Sequence, residues 1–386
     1  MKIKKTVAEI NEKIKKGEAV VLTAEEVSKM AETASPEEIA KKVDVVTTAT
    51  FGAMCSSGAF INFGHADPPI RMEEITLNNV PVYGGLAAVD TYVGATAESK
   101  TDPTYGGAHV IEDLLKGKDV VLEAKAKGTD CYPTKYVKTT INKDNINEFY
   151  LYNPRNAYQN YPAATNSTNK IIYTYMGNLL PKFGNITYST SGELSPLLND
   201  PEFRTIGLGT RIFLCGAEGY VTWNGTQFNR SKPRNEHGIP IGNAATIAVT
   251  GDLKQMSPEF LKAAYFEKYG ISIFIGMGVP IPVLDEDMAK RLSIKNREIE
   301  TVISDYGKSD HPTLGTTNYE ALQSGLIDFN GKKIRTAPMA SLYKARQIAD
   351  ILKKKIENNQ FKLTEPVKMF PNNTTTKPLN ISEDKN

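Results

Sequence analysis

Two cysteines, Cys55 and Cys131, sit where a thiol could react. Cys55 lies in Phe51-Gly52-Ala53-Met54-Cys55-Ser56-Ser57-Gly58, directly after the β-branched run Val43–Thr48. A strand there presents a side chain at its C-terminal edge. Small neighbours keep bulk off the sulfur, and serine O–H and backbone N–H groups can stabilise a thiolate. Cys131 lies in Gly128-Thr129-Asp130-Cys131-Tyr132-Pro133, again after a strand-like run. Asp130 by itself would raise that thiol's pKa, so a donor or cation must offset it. Each segment read alone is equally a buried cysteine in a tight turn. Two cysteines in similar strand-to-loop settings suggest one shared site, in which a dithiol supplies two electrons by becoming a disulfide. Cys215 differs: Arg211-Ile212-Phe213-Leu214-Cys215-Gly216 is an apolar strand end, where a free cysteine packs as a small hydrophobe.

Polar groups cluster between the two cysteines. Asn62-Phe63-Gly64-His65-Ala66-Asp67-Pro68-Pro69-Ile70-Arg71 combines a titratable His65, a carboxylate and a guanidinium. Such a set suits a small amino acid, with Arg71 on its carboxylate and Asp67 on its ammonium; the competing reading is a hydrogen-bonded loop stiffened by Pro68-Pro69. Asp90 stands among small residues, and Asp130 beside Cys131 joins the substrate-binding candidates. His109 follows Gly106-Gly107 at a helix start, a pattern that resembles an anion-binding turn. No His or Cys pair has a metal-ligand spacing such as C-x-x-C or H-x-x-x-H, so no metal is expected unless distant loops gather the ligands. Neither Gly106-Gly107 nor Gly207-Leu208-Gly209-Thr210 matches a dinucleotide fingerprint or a P-loop.

The elements that must position these groups read as a mixed α/β fold: a large mixed-sheet enzyme domain with flanking helices, whose strand order is not legible. Helices are expected at Thr6–Lys16, after the capping box Thr23–Glu26, after the start signal Ser35-Pro36-Glu37-Glu38 with its proline at the first helical position, and at Ala108–Lys116, from Ser257-Pro258-Glu259, over Asp285–Leu292 and over Pro338–Ile356. Strands are expected at Val43–Thr48, Val80–Tyr83, Val120–Ala124, Phe149–Tyr152, Ile171–Tyr175, Ile186–Ser189, Arg211–Leu214, Ala245–Thr250 and Ile271–Ile275. The rest of Phe51–Pro133 is glycine-rich and reads as long loops lining a site. Residues 1–370 form one domain, with 1–134 and 135–370 as alternative subdomains, and 371–386 is a polar, flexible tail.

Composition narrows the partners. Lys+Arg at 46 against Asp+Glu at 44 leaves +2, too small an excess for a broad nucleic-acid surface. The basic Met1–Lys5 is followed by no apolar core of a signal peptide, and Ile271–Leu284 is too short and too interrupted by Gly276, Gly278, Pro280 and Pro282 to span a membrane. Three scattered cysteines fit a reducing compartment, so a cytoplasmic protein is expected. Oligomeric state is not readable, and a homo-oligomer is left open.

Asn62–Arg71, Gly84–Thr96 (GGLAAVDTYVGAT), Tyr105–Leu115 (YGGAHVIEDLL) and Gly128–Pro133 (GTDCYP) closely resemble the homocysteine-biosynthesis family, and the likeness runs from about residue 10 to 365. The family is associated with L-aspartate semialdehyde sulfurtransferase activity in anaerobes and methanogens. The resemblance implies that Cys55 and Cys131 match its two functional cysteines, and that Cys215, at a position where the family usually has glycine, does not. It implies a sulfide or persulfide donor, a separate ferredoxin-like iron–sulfur protein as low-potential electron donor, and no cofactor on the chain itself. Many members carry C-terminal CBS domains; without them, regulation by nucleotides through such domains is not expected. On this reading His65 or His109 protonates the departing oxygen. Two rivals remain: a sulfur relay acting on another small aldehyde, and a metal- or iron–sulfur-binding partner protein without turnover.

Overall fold

The computed structural model describes residues 3–329 and 331–380. Met1 and Lys2 of the basic start, and the last six residues of the expected tail, lie outside them. The first three helices form as their ends dictate. Thr6 accepts from the Glu9 N–H while Glu9 accepts from the Thr6 N–H, and Thr23/Glu26 and Ser35/Glu38 repeat the arrangement. Val7, Ile10 and Ile14, on one face of Val7–Lys16, are buried, and Gly17 closes that helix at φ 70°.

Asp44 ties this layer to the sheet. Its side chain is 2% exposed and accepts from Lys5 Nζ (2.9 Å), Lys13 Nζ (2.8 Å) and the Val20 N–H (3.1 Å). Burial alone would raise its carboxyl, but the two ammonium groups and the N–H outweigh it and hold it below the usual carboxylate value. A depressed carboxyl contributes stability that is present above the unfolded-state pKa and lost as pH falls through the folded one. Asp44→Asn is therefore expected to cost about 3 kcal/mol at neutral pH. The gap from wild type should narrow below about pH 4; urea unfolding at pH 7 and pH 3 measures both.

The strand Val45–Ala53 is buried along its whole length, which explains its apolar and β-branched composition. It pairs in parallel with Val21–Thr23 and antiparallel with Gly270–Pro282, from Val45↔Pro282 to Ala53↔Phe274. The sequence reading stops the latter strand at Ile275, but it continues because its glycines admit a helix. A Cβ at Gly276 or Gly278 would fall 2.9 and 3.1 Å from Ile348, on the packed helix Leu342–Glu357. Among the described residues, no helix is long and apolar enough to cross a membrane.

From Gly270–Pro282 the large sheet continues through Arg211–Leu214, Ala217–Asn224, Ile247–Asp252, Glu148–Asn156 and Gly58–Asn62, then Asp90–Gly94, Val80–Tyr83, Glu74–Leu77, Val120–Lys125 and Tyr136–Ile141. Leu261–Phe266 pairs on the side of Gly270–Pro282. The strands thus come from both sides of residue 134. The seven strands from Val45–Ala53 to Gly58–Asn62 curl far enough that four residues, Met54–Ser57, join the outermost two. Such a link spans at most about 18 Å. Cys55 lies in this seam.

A second, six-stranded sheet runs Thr313–Asn318, Glu300–Asp305, Ala163–Thr165, Asn185–Tyr188, Lys332–Pro338 and Leu326–Phe329. It meets the large sheet at an apolar junction of Ala53, Ala164, Met176, Leu179 and Met339.

Three expectations are corrected. Ser257-Pro258-Glu259 forms a turn rather than a helix, because Ser257 N–H is taken by Cys215 O (2.7 Å) and Leu261 onward pairs with Gly270–Ile275. The final helix begins at Leu342 with Ser341 as its cap, since Lys332–Pro338 is a strand. The glycine-rich region also holds three unforeseen strands, Gly58–Asn62, Glu74–Leu77 and Asp90–Gly94. Gly58–Asn62 owes its place to a partner, Glu148–Asn156, remote in sequence. Within the tail, Arg230 bonds Asn372 Oδ1 (2.7 Å) and the Thr374 carbonyl (3.1 Å).

Candidate active site

The seam turn is tight: Met54 N–H donates to Ile273 O (2.7 Å) and Ser57 N–H to Met54 O (3.0 Å). It leaves the partly exposed Cys55 with Sγ 3.2 Å from Ser272 Oγ and 3.5 Å from Tyr269 OH. The thiol opens into a cavity of about 330 Å³ at the junction of the two sheets, near the lower end of the roughly 300–1,000 Å³ typical of small-molecule sites. Tyr269 and Thr96 come from the large sheet's loops. Arg155 and Tyr158 follow Tyr152, which pairs with Gly58, so they emerge at the same end of adjacent strands as Cys55. Tyr161, Tyr175, Ser189 and Met339 close the opposite wall.

The phenols form a connected set. Tyr175 OH donates to Tyr161 OH (2.6 Å), and the Tyr175 and Tyr269 rings lie 5.8 Å apart. Burial pushes the Tyr158 and Tyr306 hydroxyls up to about 12, and Tyr269 and Tyr175 up as well. At neutral pH they are therefore protonated and serve as hydrogen-bond donors. Two larger clefts, of about 440 and 550 Å³, contain no cysteine.

The other predicted residues lie elsewhere. Cys131 is exposed in a turn in which Thr129 and Tyr132 exchange backbone hydrogen bonds of 2.9 and 3.1 Å. That turn packs beside the Asn62–Arg71 loop: His65 stacks on Tyr132 at 6.3 Å, and Thr134 Oγ1 donates to Pro68 O (2.9 Å). Asp90 accepts from Asn62 Nδ2. His65, Asp67 and Asp130 are exposed, and Arg71 lines a separate cleft of about 170 Å³ with Glu73 and Gly84–Ala87. This second group gathers at the Asn62 end of Gly58–Asn62, whereas Cys55 precedes the Gly58 end, about 13 Å away along the strand. The structure thus brings Cys131 together with His65 but not with Cys55; none of Cys131, His65, Asp67, Arg71, Asp90, His109 and Asp130 lines the Cys55 cavity.

The glycine pair before His109 is no anion cradle. Gly107 N–H donates to Ala97 O (2.7 Å) and Ala108 N–H to Ala95 O (2.9 Å), so the helix's first donors are spent on the protein. His109 Nδ1 accepts from the Gly106 N–H (3.2 Å), and burial lowers the imidazole's pKa, favouring the neutral, accepting form. Cys215 is fully buried, and burial pushes its thiol up to about 12. Among the described residues, no group of three His, Cys, Asp or Glu is arranged to hold a metal ion.

Arg155, Tyr158, Tyr161, Tyr175, Tyr269 and Ser272 are absent from the sequence-based candidates. A usable signal was present in Asn153-Pro154-Arg155-Asn156-Ala157-Tyr158-Gln159-Asn160-Tyr161, where a cation and phenols crowd a strand end.

The fold is that of a mixed α/β protein, and its junction cavity, of a size that suits a small molecule, opens onto an accessible thiol. Residues 19–363 match the family described as homocysteine biosynthesis enzyme, sulfur-incorporation, and the chain belongs to that family. It is 52% identical over 384 residues to the L-aspartate semialdehyde sulfurtransferase of Methanocaldococcus jannaschii, covering 95% of this chain and 73% of that protein. It is 47% identical over 380 residues to the protein of the same name from Methanosarcina acetivorans, covering 98% and 74%. An uncharacterized protein of Methanothermobacter thermautotrophicus is 30% identical over 329 residues, covering 83% and 72%. No solved structure matches significantly. The chain is an enzyme of sulfur incorporation in homocysteine synthesis.

Proposed function

We propose that this protein is a cytoplasmic L-aspartate semialdehyde sulfurtransferase whose sulfur chemistry takes place at Cys55. The observation that carries this reading is the Cys55 thiol at the mouth of a small cavity lined with phenol donors and one guanidinium. The overall change is one aldehyde plus one hydrogen sulfide plus two thiols giving one alkyl thiol, one water and one disulfide. Sulfide adds to the aldehyde carbon to give a thiohemiacetal; the C–O bond then breaks, oxygen leaves as water, and two electrons reduce the carbon. Tyr269 OH, 3.5 Å from Cys55 Sγ, is placed to donate to the aldehyde oxygen as it gains charge and to protonate it as it departs. It takes the role expected of His65 or His109.

The electrons come from Cys55 and Cys131 together, and a separate ferredoxin-like iron–sulfur protein restores the dithiol. A disulfide needs Cα atoms roughly 4.4–6.8 Å apart. The exposed Cys131 turn must therefore swing on Gly128, which sits at φ 79°, or the Cys131 of a second copy must supply the sulfur. Anaerobic incubation with L-aspartate semialdehyde, sulfide and a low-potential reductant should yield homocysteine; none from folded protein would overturn the assignment. Mild oxidation followed by peptide mass spectrometry should recover a Cys55–Cys131 linkage in the wild type. Non-reducing electrophoresis then separates an intrachain link from one between copies, and absence of both would remove the two-cysteine step.

A further inference from the structure

We propose that Arg155 anchors the carboxylate of the aldehyde substrate, so that the Cys55 cavity selects short aldehydes that bear a carboxylate. This deepens the functional reading above and rests on it. Among the described residues lining the cavity, Arg155 is the one cation and no carboxylate is present. A guanidinium in a partly dry pocket, unmatched by negative charge, favours an anionic ligand.

The way Arg155 is held agrees with that role. Nε donates to Thr226 Oγ1 (3.0 Å) and Nη1 to Gln227 Oε1 (3.0 Å). Both partners are neutral, so they orient the fork without cancelling its charge. Among the described residues Arg155 has no carboxylate within ion-pair distance, in contrast to Arg204 on Asp285 and Arg346 on Glu25, which act as structural ties. The Tyr158 hydroxyl, on the cavity wall, lies beside the guanidinium and is likewise neutral, so a ligand carboxylate entering the cavity meets the fork and this phenol together with no competing anion.

The position follows from the strands. Arg155 lies three residues beyond Tyr152, the partner of Gly58, and Cys55 lies three residues before Gly58. Both project past the same end of adjacent strands into one cavity. A molecule held by its carboxylate on Arg155 thus extends its other end towards the sulfur and Tyr269. Arg71, the cation expected from the sequence to do this, lines a different cleft. The absence of a carboxylate from the lining also means that a substrate ammonium meets only neutral acceptors. The des-amino analogue, succinate semialdehyde, should therefore be accepted far better than a neutral aldehyde of equal length.

The test uses alkylation of Cys55 by iodoacetate, which carries a carboxylate, and by the neutral iodoacetamide, with the Cys55 and Cys131 peptides followed separately by mass spectrometry. Arg155→Gln should lower the iodoacetate-to-iodoacetamide rate ratio at Cys55 at least about tenfold, while the ratio at the exposed Cys131 stays unchanged as an internal control. Arg155→Lys, which keeps a cation without the fork, should fall between. An unchanged Cys55 ratio in Arg155→Gln overturns the proposal, as does a fall of equal size at both cysteines in both variants. An Arg155-dependent preference in a protein that forms no homocysteine supports the anchor and removes the functional reading. Homocysteine formation without that preference does the reverse.

Discussion

Cys55→Ser is expected to lower homocysteine formation by on the order of a thousandfold or more, since a hydroxyl at this position cannot give up electrons by forming a disulfide as a thiolate does. The geometry makes the loss specific. Serine replaces sulfur beside Ser272 and Tyr269 at nearly the same volume, so the seam should fold as before. Cys131→Ser is expected to abolish steady-state turnover as well, but at a different step. Cys131 lies outside the cavity, so substrate should still protect Cys55 from alkylation in that variant. Cys215→Ser should keep most activity while losing about 1–3 kcal/mol of stability, because it buries a hydroxyl in an apolar core. Homocysteine measured by mass spectrometry, alongside unfolding curves, distinguishes the three. Full activity in the Cys55→Ser, Cys131→Ser double variant would end the mechanism.

Gly107→Ala has the largest expected effect on stability. A Cβ at Gly107 would lie 1.9 Å from Gly94 O and 2.9 Å from its carbonyl carbon. The obstacle is backbone, and it cannot retreat freely, because Gly94 pairs with Gly58 in the sheet. Either the helix Gly107–Leu115 lifts off or the Gly58 end of the strand is pushed aside; the first opens the core and the second moves Cys55. A cost of about 3 kcal/mol or more is expected, at the upper end of overpacking effects. Gly315→Ala is the control: no atom lies within 4 Å of its Cβ position, so the change should stay within about 0.5 kcal/mol. Chemical denaturation of the two variants measures the contrast, and similar midpoints would show that the contact is soft.

Much of the local structure was legible because its causes are local. The capping box at Thr23 and the proline start at Ser35-Pro36 keep their partners within one turn, and the strands at Val80–Tyr83 and Arg211–Leu214 have the expected bounds. The Ser257-Pro258-Glu259 signal failed because the hydrogen bond that Ser257 N–H donates to the Cys215 carbonyl and the pairing of Leu261–Phe266 outweigh a helix start. Gly106-Gly107 was misread for a similar reason: the sequence shows that side chains are missing, not that the carbonyls of Ala97 and Gly94 occupy the space.

By itself, then, the amino-acid sequence determined which thiols are candidates, where most helices and several strands begin, and the family to which the chain belongs. Tertiary structure decided which groups meet. Cys55 touches Ser272, 217 residues away, because Gly270–Pro282 pairs beside Val45–Ala53, and the curl of the sheet from that pair round to Gly58–Asn62 sets Arg155 and Tyr158 beside the sulfur. The same strand that brings them together separates Cys55 from Cys131 and His65. Side-chain periodicity records which face of a strand is buried, but a strand's partner is chosen by packing and hydrogen bonding over the whole chain, and no local window contains that choice.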